Sequence, residues 1–136
     1  MIVLVDTDVL VDLALDRQPH GGPASSLLDV LESRPGTGFV AWHSVSNFFY
    51  LVAPKRGRSR TREFLMDLAR FIDVAPTTTE SLRYAGKLAM KDFEEAMQVA
   101  AALACGAEVI ATRNARDYAT APIKGMNPAA LVKALS

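Results

Sequence analysis

The residues best suited to do chemistry in this sequence are acids. Asp6 closes the run Ile2–Val5, whose branched side chains read as a short buried strand. Asp92 and Glu95 open an Ala-rich segment and, three apart, share one helix face. Asn114 and Asp117 follow a second apolar run, Glu108–Thr112. Carboxylates gathered without a basic partner repel one another and hold their protons more tightly. A divalent cation removes that difficulty, and an all-oxygen ligand set selects Mg²⁺ or Mn²⁺ over zinc. Such an ion generates hydroxide and stabilises the charge of phosphodiester hydrolysis.

Each acid also has a plainer reading. Asp92-Phe93-Glu94-Glu95 satisfies a capping box, which needs only a helix N-terminus. The two roles are compatible if they use different oxygens of Asp92. Asp117 fits an ordinary turn after a strand. Asp6 is harder to explain away, because Asp is rarely buried unless paired. Asp12 reads as a helix-face residue in support of the cluster.

The elements that must position these acids follow from periodicity. Asp8 to Leu15 has apolar residues at helical spacing, and Ala24–Ser33 carries Leu27, Leu28 and Leu31 on one face. Between them Gln18–Pro23 reads as a loop. Phe39–Trp42 reads as a strand and His43–Val52 as a helix, with Pro54–Ser59 a polar connection. Thr61–Arg70 is helical and Phe71–Val74 a strand. Thr79–Met90 and Asp92–Cys105 are the clearest helices, the latter ended by Gly106. A short last strand is expected at Pro122-Ile123. The terminal helix Pro128–Leu135 has Asn127 as its cap. Strands alternating with helices predict an α/β fold around a mainly parallel sheet. In such sheets sites form beyond the carboxyl ends of strands. That rule selects Asp6, Asn114 and Asp117.

Composition bounds the function. The 136 residues fit one domain, expected to span 1–136. One cysteine, Cys105, allows neither an intramolecular disulfide nor a thiolate zinc site. No apolar run reaches membrane-spanning length and no signal peptide is legible, so a cytoplasmic protein is expected. Fifteen acidic and fifteen basic side chains cancel, so any nucleic-acid surface has to be local. One candidate is Lys55–Arg62, with five bases in eight residues; a solvated loop and helix start explains it equally well. Arg113 and Arg116 flank Asn114 and are better placed for a substrate phosphate. Trp42 reads as a core aromatic with base stacking as the alternative, and His43 as a possible general acid.

Two blocks together resemble the PIN domain family of VapC-type toxins: IVLVDTDVLVDLAL at the start and KDFEEAMQVAAALACGAEVIATRNARDYATAPI near the end. The resemblance spans nearly the whole chain. It implies a three-layer α/β/α fold and a Mg²⁺- or Mn²⁺-dependent ribonuclease, the toxin of a toxin–antitoxin module. Asp6, Glu95 and Asp117 would be the catalytic acids. Asp6, Asp92, Glu95, Asn114 and Asp117 would form the metal set, with Asp8, Asn47, Arg113 and Arg116 in support or on substrate. An RNA substrate, an antitoxin partner and a homodimer are implied in the same way. Two residues depart from the family pattern: Asn47 stands where many such nucleases carry Glu, and Glu95 where Asp is commoner. A less anionic site with weakened metal binding is the expected consequence. The alternatives are a degenerate, non-catalytic domain that binds RNA or protein, and a haloacid-dehalogenase-type phosphatase, whose D-x-D-x-[TV] pattern Asp6-Thr7-Asp8-Val9 matches.

Overall fold

Val3 and Val5 pack into one apolar cluster and Leu4 into another on the opposite side. A period-two chain with both faces covered must behave this way. The computed structural model, which describes residues 1–136, places that run at the centre of a five-stranded sheet. The strands are β1 (Val3–Val5), β2 (Gly38–Val40), β3 (Ile72–Val74), β4 (Val109–Ala111) and β5 (Gly125–Met126). Their order is β3-β2-β1-β4-β5 and every neighbouring pair is parallel. The sheet is therefore wholly, not mainly, parallel.

Seven helices cover it: α1 (Thr7–Ala14), α2 (Gly21–Glu32), α3 (Trp42–Arg56), α4 (Arg58–Leu68), α5 (Thr79–Lys87), α6 (Phe93–Ala104) and α7 (Pro128–Leu135). The larger cluster joins Val3, Val5, Val109 and Ala111 to α1–α4 and α7. Leu4 and Ile110 meet the alanines of α6 on the other face, with α5 packed against α6. The result is a three-layer α/β/α fold. Ala101 and Ala102 are buried against the sheet and Ala96 and Ala100 against Ala85 of α5, and their small size lets α6 lie close to both.

Four sequence expectations need correction. Helix α2 begins at Gly21, not Ala24. A Cβ on Gly21 would lie 2.8 Å from Asp16 Oδ1, and Pro23 sits in the first turn, where no backbone N–H is required. Helix α3 continues through Pro54 to Arg56, so the expected polar connection shrinks to Gly57 at φ +87°. The last strand is Gly125–Met126; Ile123 is instead a core residue. Trp42 is not core: it begins α3 and is 68% exposed. The terminal cap is as expected, with Asn127 Oδ1 accepting from Ala130 N at 2.8 Å.

Candidate active site

The strand order reverses direction at β1. From there the chain steps through β2 to β3 on one side, and β4 returns to the other side. A crevice opens where neighbouring connections diverge, beyond the carboxyl ends of β1 and β4. Asp6 follows β1 directly and caps α1 from extended backbone, its Oδ1 accepting from Thr7 N at 2.8 Å. The same Oδ1 accepts from Gln98 Nε2 at 3.0 Å, and Oδ2 accepts from Tyr118 OH at 3.2 Å. All three donors are neutral. Burial, then the nearby charges of Asp8 and Glu94, push Asp6 up to about 7.

Asp6 opens into a cavity of about 520 Å³. Asp8 and Arg17 line it from α1 and the loop beyond, Asn47 and Tyr50 from α3, and Glu94 and Glu95 from α6; Arg113, Asn114 and Asp117 follow β4. Glu95 is also raised to about 7, by desolvation first, then by Asp117 beside it, Asp92 and Asp6. Asp117 belongs to a 3-10 turn, Ala115–Tyr118, which packs against β5. A Cβ at Gly125 would lie 2.9 Å from Thr112 Cγ2 and 3.1 Å from Ala115 Cα. Glycine there lets the turn settle over the sheet edge and brings Tyr118 to Asp6.

Of the residues singled out in the sequence, Asp6, Asp8, Asn47, Glu95, Arg113, Asn114 and Asp117 converge on this cavity. Asp92 and Arg116 do not line it. Asp92 caps α6 instead, Oδ1 accepting from Glu95 N at 3.0 Å, which fixes the turn that carries Glu95. Asp8 faces the end of β4: its carboxylate accepts from Thr112 Oγ1 at 3.3 Å, Asn114 Nδ2 at 3.1 Å and the Arg113 backbone N–H. Burial raises it, while the Arg113 hydrogen bond and charge pull the other way.

Two members, Glu94 and Gln98, escaped sequence reasoning, and Asp12, expected on a helix face in support of the cluster, is buried and charge-paired. Asp12 is 2% exposed and pairs with Arg113 Nε at 3.0 Å, with Arg17 Nη1 at 3.9 Å from its other oxygen. The pairing holds both arginines at the cavity rim. Glu94 was hidden by its neighbours in the capping pattern. Gln98 is fully buried; its only signal is one amide in an otherwise apolar helix face. His43 bonds Glu94 at 3.3 Å. The basic run Lys55–Arg62 lies at the α3–α4 junction and lines no part of this cavity.

The donor chemistry suits a hard divalent ion: oxygen donors, two carboxylates whose proton affinity burial and neighbouring acids raise to about 7, and no cation on Asp6. No three of the acids stand close enough together to hold an ion among themselves. Mg²⁺ tolerates this, since it keeps several waters and binds through one or two carboxylates.

The PIN domain family model matches residues 2–116 of the chain. No curated protein sequence matches it. Among solved structures it is similar to Mycobacterium tuberculosis VapC20, a Sarcin-Ricin loop cleaving toxin, with 16% identity, a TM-score of 0.67, and coverage of 88% of this chain and 95% of that one. VapBC2 from Rickettsia felis, solved bound to a DNA fragment from their promoter, aligns at 15% identity and TM-score 0.70 over 93% and 98%. FitAcB from Neisseria gonorrhoeae aligns at 18% identity and TM-score 0.64, again over 93% and 98%. At these identities the likeness is one of fold.

Proposed function

The chain belongs to the PIN domain family, and from that premise we propose that it is a Mg²⁺- or Mn²⁺-dependent ribonuclease, the toxin of a toxin–antitoxin module. One observation carries the reading: Asp6 is a buried carboxylate beyond β1 with only neutral partners, facing a cavity lined by further acids. Such a group is costly to keep charged unless a cation compensates it.

In this reading Asp6, Glu95 and Asp117 would surround the metal, one or two of them binding it directly and the rest through its waters, with Asn114 as a neutral oxygen donor. Asp92 contributes by capping the helix turn that presents Glu95. The bound ion would supply an activated water and a counter-charge for the phosphodiester. The chain's own residues do the rest. Gln98, Tyr118 and the Thr7 N–H orient Asp6. Arg113 and Arg17, tethered by Asp12, stand at the rim where a substrate phosphate would approach. Asp8 is engaged at the β4 end by Thr112, Asn114 and the Arg113 backbone N–H, which disfavours the phosphatase reading in which it would serve as the acid–base group.

An antitoxin partner belongs to the same proposal, supported by the likeness to VapBC2 and FitAcB; a homodimer is proposed with it on the family resemblance alone. Leu27, Leu28, Leu31 and Phe48 are buried in the core, so a dimer would have to use other residues. No helix is long and apolar enough to cross a membrane. Asn47 in the cavity wall and the open spacing of the acids favour one rival, a non-catalytic RNA- or protein-binding module. An RNA cleavage assay with and without Mn²⁺ decides between them. Metal-dependent cleavage by the wild type that disappears in Asp6→Ala supports the nuclease; metal-independent RNA binding without cleavage supports the rival.

A further inference from the structure

Glu94 and Asn47 line the same cavity, one from α6 and one from α3. Each offers a side-chain oxygen, but only Glu94 brings charge. Glu94 and Asp6 are linked through one atom: Gln98 Nε2 lies 3.0 Å from Asp6 Oδ1 and 3.3 Å from Glu94 Oε1. The same nitrogen is 2.9 Å from Ser44 Oγ. An amide nitrogen has two protons to give, and here three oxygens crowd it. Its own Oε1 is buried without a partner. A fully buried amide is thus spent on bringing two carboxylates together.

The choice of Gln matters. A lysine at position 98 would neutralise the pair and leave no demand for a cation. An amide orients both carboxylates and leaves both charges in place. Glu94 is anchored further by His43 Nε2 at 3.3 Å, yet its side chain remains 41% exposed and lines the cavity.

Resting on the metal-site reading above, we propose that Glu94, steered by Gln98 and His43, is an acidic member of the metal site and supplies from α6 the charge that Asn47 does not supply from α3. The bland alternative makes Glu94 only a surface partner for His43. The two differ in what happens when the charge is moved across the cavity.

Mn²⁺ titrated calorimetrically into the full chain tests this, with wild type, Glu94→Gln, the double variant Glu94→Gln/Asn47→Glu, and Asp6→Asn. Glu94→Gln is expected to weaken Mn²⁺ binding about 10-fold or more, and the double variant to recover most of that loss. Wild-type affinity in Glu94→Gln, with binding lost in Asp6→Asn, overturns the assignment of Glu94 alone. A double variant as weak as Glu94→Gln also overturns it, because the loss would then not be one of charge in the cavity. Wild-type affinity in Asp6→Asn, or no binding by the wild type, overturns the metal-site reading and the inference together.

Discussion

Asp6 and Asp12 lie at the start and in the body of one short helix, both buried, and they are treated in opposite ways. Asp12 is met by Arg113 at 3.0 Å with Arg17 behind it. Asp6 has an amide, a phenol and a backbone N–H, and no cation. A buried carboxylate facing two arginines has its charge compensated and reads as scaffold. One surrounded by neutral donors and further acids is unfinished, and the missing charge has to come from a ligand. The contrast separates scaffold from site more clearly than burial or the number of hydrogen bonds does.

The strongest way to break this comparison is to remove each charge. Asp6→Asn is expected to lower RNA cleavage by about three orders of magnitude, or about 4 kcal/mol in the barrier, while the metal-free protein at pH 7 keeps or gains stability. A metal-free protein that loses stability on this change would place Asp6 with Asp12 as scaffold. pH gives the same contrast without mutation. Asp6 rises from an ordinary 3.8 to about 7 on folding, so the folded state binds its proton more tightly than the unfolded chain. The stability this confers is full below about pH 4 and is lost as pH rises toward 7, a change of a few kcal/mol at about 1.4 per pH unit. Thermal melts of metal-free protein should therefore fall across that window, and the part due to Asp6 should vanish in Asp6→Asn.

On the scaffold side, Arg113→Met should cost about 3 kcal/mol of folding stability, because it strands the Asp12 charge in the core. Urea titration measures it. A loss below about 0.5 kcal/mol would mean that the pair behaves like a surface bridge.

The sequence made Asp6 and the late block legible because both signals are local. A strand run ending in an acid, and an acid opening an Ala-rich helix, are read within a few residues. The layer order and parallel sheet followed from the alternation of elements. What stayed hidden depends on distant partners. Gln98 reaches Asp6 across 92 residues of chain, and nothing near it in sequence marks one amide as special. Asp12 looked like a helix-face residue because its arginine lies beyond β4. Glu94 was masked by a capping pattern that explains Asp92 and Glu95 so well that the acid between them was left without a role. Trp42, beside a strand, read as core because its place at the first turn of α3 is decided by where β2 stops.

Tyr118 sharpens the comparison at smaller scale. Burial and the surrounding carboxylates hold its phenol neutral, so it acts toward Asp6 as a hydrogen-bond donor. Tyr118→Phe keeps the packing and removes that bond, and is expected to change the Asp6 interaction by about 1.5 kcal/mol. With one stabiliser of its anion gone, Asp6 should titrate higher still. Carboxyl chemical shifts of Asp6 followed over pH in the metal-free variant would show the change; a curve identical to wild type would remove Tyr118 from the site.

The smallest effect is expected from the basic run at the α3–α4 junction. Arg58 and Arg60 are exposed and line no part of the acidic cavity, so they should act at a distance, through phosphate attraction alone. In Arg58→Gln/Arg60→Gln, kcat on a long RNA should stay within about twofold of wild type while KM rises. The salt dependence of binding should flatten by about 0.7 in log–log slope for each phosphate of a single-stranded RNA that is no longer neutralised. An unchanged slope would assign this run to the solvated surface. A fall in kcat would mean that the junction reaches the reacting groups after all, and the division between a compact acidic site and a remote basic surface would have to be redrawn.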